Sequence, residues 1–124
     1  LKVGVMIESF RLGVKGGIRK AAELGADGFQ IYVTHGEMAP WNMTQSARRE
    51  FRHFVDSLGL TVSALCGDLG HGYTDPARLE ELIDKSKQIL DLSADLRVPI
   101  VTTHIGVIPE DRSHPTWGIL TEAL

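Results

Sequence analysis

"GLTVSALCGDLG", Gly59–Gly70, carries the three signals that decide the fold. Gly59 follows a helical pattern and suits the left-handed residue that ends a helix. Leu60–Cys66 is an apolar run of strand length. Gly67–Gly70 is a polar loop containing glycine. A helix end, a strand and a polar loop in that order form the joint of a βα unit.

The same joint recurs on both sides. "KVGVMI" (Lys2–Ile7), "GFQIYV" (Gly28–Val33) and "PIVTTHI" (Pro99–Ile105) are three further runs of this kind. Their length and β-branched content predict strands covered on both faces, as in parallel sheets. Helical patterns lie between them. Phe51, Phe54, Val55 and Leu58 fall at i, i+3, i+4 and i+7, one apolar face. Leu79, Leu82, Ile83, Ile89 and Leu90 form a longer stripe, which Asp75-Pro76 opens as N-cap and first-turn proline. Gly25 suits a helix end as Gly59 does, whereas the third such junction carries Arg97, a poorer ending. Ser113–Leu124, with Pro115 early and Trp117, Leu120 and Leu124 on one side, begins a fourth helix.

Four βα units predict an α/β fold of TIM-barrel type, a half-barrel with parallel strands in the order 1-2-3-4 and helices on the outer face. The alternative is a flavodoxin-like binding or signalling domain, with order 2-1-3-4 and helices on both faces. Its usual size suits 124 residues. It also calls for a fifth strand, and in its receiver form for an acidic cluster at the end of strand one, where only Glu8 stands.

Composition narrows the partners. The 124 residues are 43% hydrophobic and 23% charged, which is the balance of one globular domain spanning the chain. A net charge of −3 supplies no field for drawing in nucleic acid or an anionic membrane. No apolar run approaches the roughly 20 residues of a bilayer span. The single cysteine, Cys66, has no internal partner, so a reducing cytoplasm is the expected compartment.

In parallel α/β folds, ligands meet the carboxyl ends of the strands. Those ends carry Glu8-Ser9, then Thr34-His35 with Tyr32 just before, then Asp68 and His71, then His104. The opposite junctions carry only Asp27. This asymmetry nominates Glu8, Asp68, His71 and His104 as substrate-binding groups, with Trp41 as a face for sugar stacking. His104 is also the candidate metal ligand.

Each residue has a plainer reading beside the functional one. Glu8 is a solvated strand-end charge, Asp68 a turn-forming side chain, His104 a structural histidine, and Trp41 packing over the barrel mouth. His35 reads as a loop-surface residue, and Cys66 as a small buried hydrophobe. His53 and His114 belong to helix patterns without a role. His71 and His104 stand about one βα unit apart, without an HxxxH or CxxC spacing. Two histidines and one or two carboxylates suit Zn²⁺ or Mn²⁺ only when further ligands arrive from elsewhere.

"GVMIESFR", "AAELGADGFQIY", "GEMAPWN", "SLGLTVSALCGDLG" and "VTTHIGVIPED" together resemble the sugar phosphate isomerase/epimerase family of the xylose isomerase-like TIM-barrel superfamily. The resemblance covers essentially the whole chain, and "GLTVSALCGDLG" and "TTHIG" are its most specific pieces. It implies eight βα units, a divalent metal ion (Mn, Mg or Zn) at the carboxyl-terminal rim, and a sugar or sugar phosphate as partner. The implied reaction is metal-assisted proton transfer beside a carbonyl, either isomerisation or epimerisation. A related branch cleaves abasic DNA with strand-end histidines as zinc ligands, which an acidic chain with few histidines fits poorly.

A complete barrel needs about 250 residues. The expectation is therefore the amino-terminal half of one, spanning 1–124, with the catalytic carboxylates that the resemblance implies in a second half. A second half-barrel or a homo-oligomer is the expected cover for its edges. An apolar inner face, beside Ile7, Ile31, Leu65 and Val101, is the expected drive for that association.

Overall fold

The strands and helices alternate along the whole chain in a computed structural model that describes residues 1–124. They are β1 (Gly4–Met6), α1 (Gly13–Glu23), β2 (Gly28–Tyr32), α2 (Gln45–Ser57), β3 (Thr61–Cys66), α3 (Pro76–Leu96), β4 (Val101–Thr102) and α4 (Pro115–Ala123). All strand pairs are parallel, in the order β1-β2-β3-β4. Each βα unit thus lays its strand beside the previous one. The sequential order excludes the flavodoxin-like alternative and makes a half (β/α) barrel.

Strand side chains alternate between faces, and the ladder register fixes which residues share one. Val5 pairs with Phe29, Ile31 with Leu65, and Leu65 with Val101. This row meets Ile18 and Ala21 of α1, Phe51 and Val55 of α2, and Ile89 and Leu92 of α3 in one core. Phe29, Ile31 and Leu65 are completely buried there. Each stabilises the fold by about 1.5–3 kcal/mol relative to an exposed side chain.

The other face departs from expectation. Its register row is Met6, Gln30, Ala64, then Tyr32, Cys66 and Thr102. Thr61, Ser63 and Thr102 are exposed, so the sheet is covered on its helix side only. The Gln30 amide donates to the Thr102 hydroxyl at 2.9 Å, reaching across β3. The inner face is therefore half polar, not the apolar surface expected beside Ile7, Ile31, Leu65 and Val101. Those apolar side chains belong to the helix side.

The strands are also shorter than their apolar runs. After Met6 the chain tightens into a 3-10 turn, Ile7–Phe10. β4 holds two residues instead of seven, because its only neighbour is β3 and β3 turns away at Gly67. Past Thr102 the chain meets the β3–α3 loop instead, where the Tyr73 N–H donates to the Ile105 carbonyl at 3.0 Å.

Helix ends follow from local chemistry. Thr44 caps α2 through the Ala47 N–H at 3.1 Å, and Asp75 caps α3 through the Ala77 N–H at 3.0 Å. The His114 ring performs the same service for α4, accepting from the Thr116 N–H at 3.2 Å. Gly25 and Gly59 take the left-handed conformation past α1 and α2, with φ of 76° and 68°. Arg97 does so past α3, with φ 58°. The helix ends where the pattern expects, on a residue whose Cβ opposes it.

Candidate functional site

Tyr32 stands at the middle of the carboxyl-terminal rim, and the predicted site residues distribute around it. It ends β2 directly beside Cys66, its Cα partner on β3. Interaction with the Cys66 thiol, through hydrogen bonding first and charge second, holds the Tyr32 phenol above its ordinary pKa of 10.0. Desolvation and the charges of Asp68 and Glu8 push the same way. A phenol in that company keeps its proton and serves as a hydrogen-bonding group.

Glu8 lies in the 3-10 turn after β1, and one oxygen accepts the Tyr32 backbone N–H at 2.8 Å. The β1 backbone has already turned away there, so the carboxylate continues the ladder in its place. The structural reading of Glu8 thus gains a definite content, and the residue remains exposed at the rim. Glu8, Tyr32 and His35 line a cavity of about 360 Å³ with Arg11 and Met38.

Asp68 and His104 come together. The His104 Nδ1 lies 3.4 Å from one Asp68 oxygen, and the other accepts the Gly70 N–H at 2.9 Å. The Asx turn anticipated for Asp68 therefore forms, and it also aims the carboxylate at His104. The His104 side chain is 81% exposed and its Nε2 carries no protein partner. The loops bearing the pair are held by an unusually close backbone approach. A Cβ on Gly72 would stand 2.6 Å from the Gly106 Cα.

His71 contacts α3, not the Asp68–His104 pair. Its Nε2 meets the Arg78 guanidinium at 2.8 Å on the first turn of α3. Trp41 is 42% exposed, with the Lys85 ammonium 5.7 Å from its ring centroid. A cation thus approaches one face of the ring. His35 is exposed, 3.1 Å from the Thr34 hydroxyl and tilted against the Tyr32 ring. Tyr32, Thr34, His35, Asp68, His71, Arg78 and Lys85 contribute to a second cavity, of about 480 Å³. Arg78 and Lys85 escaped the sequence reading because exposed helix charges are ordinary. Only the loop folding back over α3 makes them rim residues.

The residues do not fit a metal site by themselves. No three His, Cys, Asp or Glu side chains gather closely enough to hold an ion. Asp68 and His104 supply two donors, so His104 can ligate only alongside donors from outside this chain. The chain also contains no helix long and apolar enough to cross a membrane.

Residues 18–124 match the family model described as xylose isomerase-like TIM barrel. No curated protein matches the sequence. Among solved structures, a xylose isomerase domain protein from Planctomyces limnophilus superposes with a TM-score of 0.76 at 19% identity, over 98% of this chain and 46% of that one. A sugar phosphate isomerase/epimerase from Parabacteroides distasonis gives 0.63 at 14% identity, over 98% and 44%. The "probable 3-DHS dehydratase AsbF" of Bacillus anthracis gives 0.61 at 19% identity, over 83% and 38%. At these identities the likeness is one of fold. The chain spans less than half the length of each of these structures.

Proposed function

This chain belongs to the xylose isomerase-like TIM-barrel family, and from that premise we propose that it forms the substrate-binding, amino-terminal half of a sugar or sugar-phosphate isomerase or epimerase. The Asp68–His104 pair carries the reading. It stands at the strand ends where barrel enzymes place their chemistry, with Asp68 fixed by Gly70 and the His104 Nε2 open to a ligand. A carboxylate beside Nδ1 favours the tautomer with the proton on that nitrogen. Nε2 then accepts from a sugar hydroxyl, or takes a proton and returns it as imidazolium.

Proton abstraction beside a carbonyl needs a base and stabilisation of the enediolate oxygen. His104 and the neutral Tyr32 phenol are the groups here that can contact such a substrate. A divalent ion in the complete barrel would supply charge stabilisation. The two donors of this rim do not hold one alone.

The test is solvent exchange. The complete protein carrying this chain, incubated in D₂O with a panel of ketoses, aldoses and their phosphates, is expected to place deuterium on the carbon beside the carbonyl. His104→Ala is expected to slow exchange by about a hundredfold, the low end for a general acid or base, with an unchanged circular dichroism spectrum. Absence of exchange across the panel, or full activity in His104→Ala, would overturn the reading. The same abstraction can precede loss of water, as a dehydratase requires, and a product lighter by one water would move the assignment there.

A further inference from the structure

The cavity of about 480 Å³ between the β2 end, the β3–α3 loop and the start of α3 holds a charge that the Asp68–His104 pair does not use. Its ionic groups on α3 are Arg78, Glu81 and Lys85. Lys85 lies 2.6 Å from Glu81, and its hydrogen bond and charge hold the Glu81 carboxyl below the ordinary value. The charges of Arg78 and His71 lower it further by smaller amounts, so Lys85 is the main partner of Glu81.

Arg78 is different. Its nearest carboxylate oxygen, on Asp75, is 3.9 Å away, and the other Asp75 oxygen is occupied in capping α3. Its short contact is with the His71 Nε2 at 2.8 Å. The same Arg78 nitrogen is 3.5 Å from the His71 Nδ1, so the guanidinium sits against the imidazole ring instead of a carboxylate. Asp68, the other carboxylate of the cavity, is directed to Gly70 and His104. Arg78 therefore has no carboxylate within hydrogen-bond distance, and the His71 ring fixes its orientation. A guanidinium fork with hydroxyl and imidazole N–H groups around a concave site suits a planar or tetrahedral oxyanion. The cavity volume lies within the range of small-molecule sites.

We infer that this cavity is a subsite for the anionic end of the substrate, a carboxylate or a phosphate monoester held by Arg78 with His71 and Thr34. The substrate is then an acidic or phosphorylated sugar, with its reacting end toward His104, since Asp68 borders the cavity and contacts His104. The chain as a whole is acidic, at net −3, so long-range attraction does not supply this preference. Arg78 supplies it locally.

The inference rests on the rim being a sugar site, and the experiment separates the two. Calorimetric titration of the complete protein at matched ionic strength uses glucose, glucuronate, glucose 6-phosphate and inorganic phosphate. The charged probes are expected to bind at least tenfold more tightly than glucose. Arg78→Gln is expected to abolish that advantage, and Arg78→Lys to retain part of it. The tighter of glucuronate and glucose 6-phosphate identifies the anion. Glucose binding that needs His104, with no advantage for the anions, overturns the subsite and leaves the rim standing. An anion advantage that survives Arg78→Gln in a folded protein also overturns it. So does failure of all four probes to bind, and the deuterium experiment then reports on the rim separately.

Discussion

Gly72 and Gly106 are where one methyl group decides whether the rim forms. An added Cβ at Gly72 would meet the Gly106 Cα at 2.6 Å and its nitrogen at 2.9 Å, both backbone atoms without a rotamer to yield. Gly72→Ala is therefore expected to destabilise by about 1–3 kcal/mol, the usual range for overpacking. It should also part the loops carrying Asp68 and His104, raising KM more than Gly118→Ala, whose new Cβ meets nothing. Chemical denaturation of both variants checks the first point, and kinetics on the complete protein the second. Equal stability of the two variants would count against it. The site was partly legible at this scale. Asp68, His71 and His104 could be placed on one rim from strand ends alone. That His71 turns to Arg78 depends on the fold of the β3–α3 loop, and no spacing in "CGDLGHG" encodes it.

Among the elements, α3 shows most directly which signals a sequence carries. Its start is written in Asp75-Pro76, and the capping bond forms as the pair predicts. Its end carries no glycine, and Arg97 takes φ 58° because the helix must stop for β4 to enter the sheet. A Cβ in that conformation costs about 1–2 kcal/mol, and glycine's greater freedom in the unfolded chain offsets part of this. Arg97→Gly is expected to raise the thermal midpoint by a few degrees, and a lowered midpoint would argue against strain there. The neighbouring helix is tied on by Arg48, which donates to Asp95 at 2.6 Å and to the Pro40 carbonyl at 3.0 Å. The Arg48 hydrogen bond, then that of Gln45, holds the Asp95 carboxyl below its ordinary 3.8. A depressed folded-state pKa contributes stability that is present above the unfolded value and lost as pH falls through the folded one. Asp95→Asn should therefore lower stability at neutral pH and narrow its gap to the wild type in strong acid. Parallel denaturation curves at pH 7 and pH 2 provide the check, and a gap that widens in acid would reverse the assignment. Strand lengths were less legible than helix ends. The run Pro99–Ile105 has the β-branched content of a full strand, but strand length also depends on the neighbour, and β3 supplies pairing for two residues only.

At the scale of the whole molecule, the open question is where the drive for association resides. Pattern reading placed it on the inner face of the sheet, because alternation reveals two faces without saying which one the helices cover. The register answers this: Gln30, Tyr32 and Thr102 stand on the inner row, where the Gln30 amide donates to the Thr102 hydroxyl. The apolar exposure lies elsewhere. Leu90, Ile100, Val107, Ile108 and Leu124 are exposed by 55%, 53%, 84%, 55% and 74%. Several of them flank β4, whose outer edge also leaves backbone groups unpaired. Leu90 and Leu124 line a further cavity of about 320 Å³ with Val101. Edge backbone and apolar surface side by side favour pairing with another strand, and we propose that in the isolated chain a second copy covers this flank. The isolated 124-residue chain is then expected to show an apparent mass above 13.6 kDa that rises with concentration. Ile100→Lys, a charge on the exposed edge, should return it toward the monomer, whereas Thr102→Ser on the inner row should leave association unchanged. Sedimentation equilibrium over a hundredfold range of concentration reads all three. A wild-type chain that remains monomeric throughout, and unfolds in one cooperative step, would show that the β4 flank is stable without a partner.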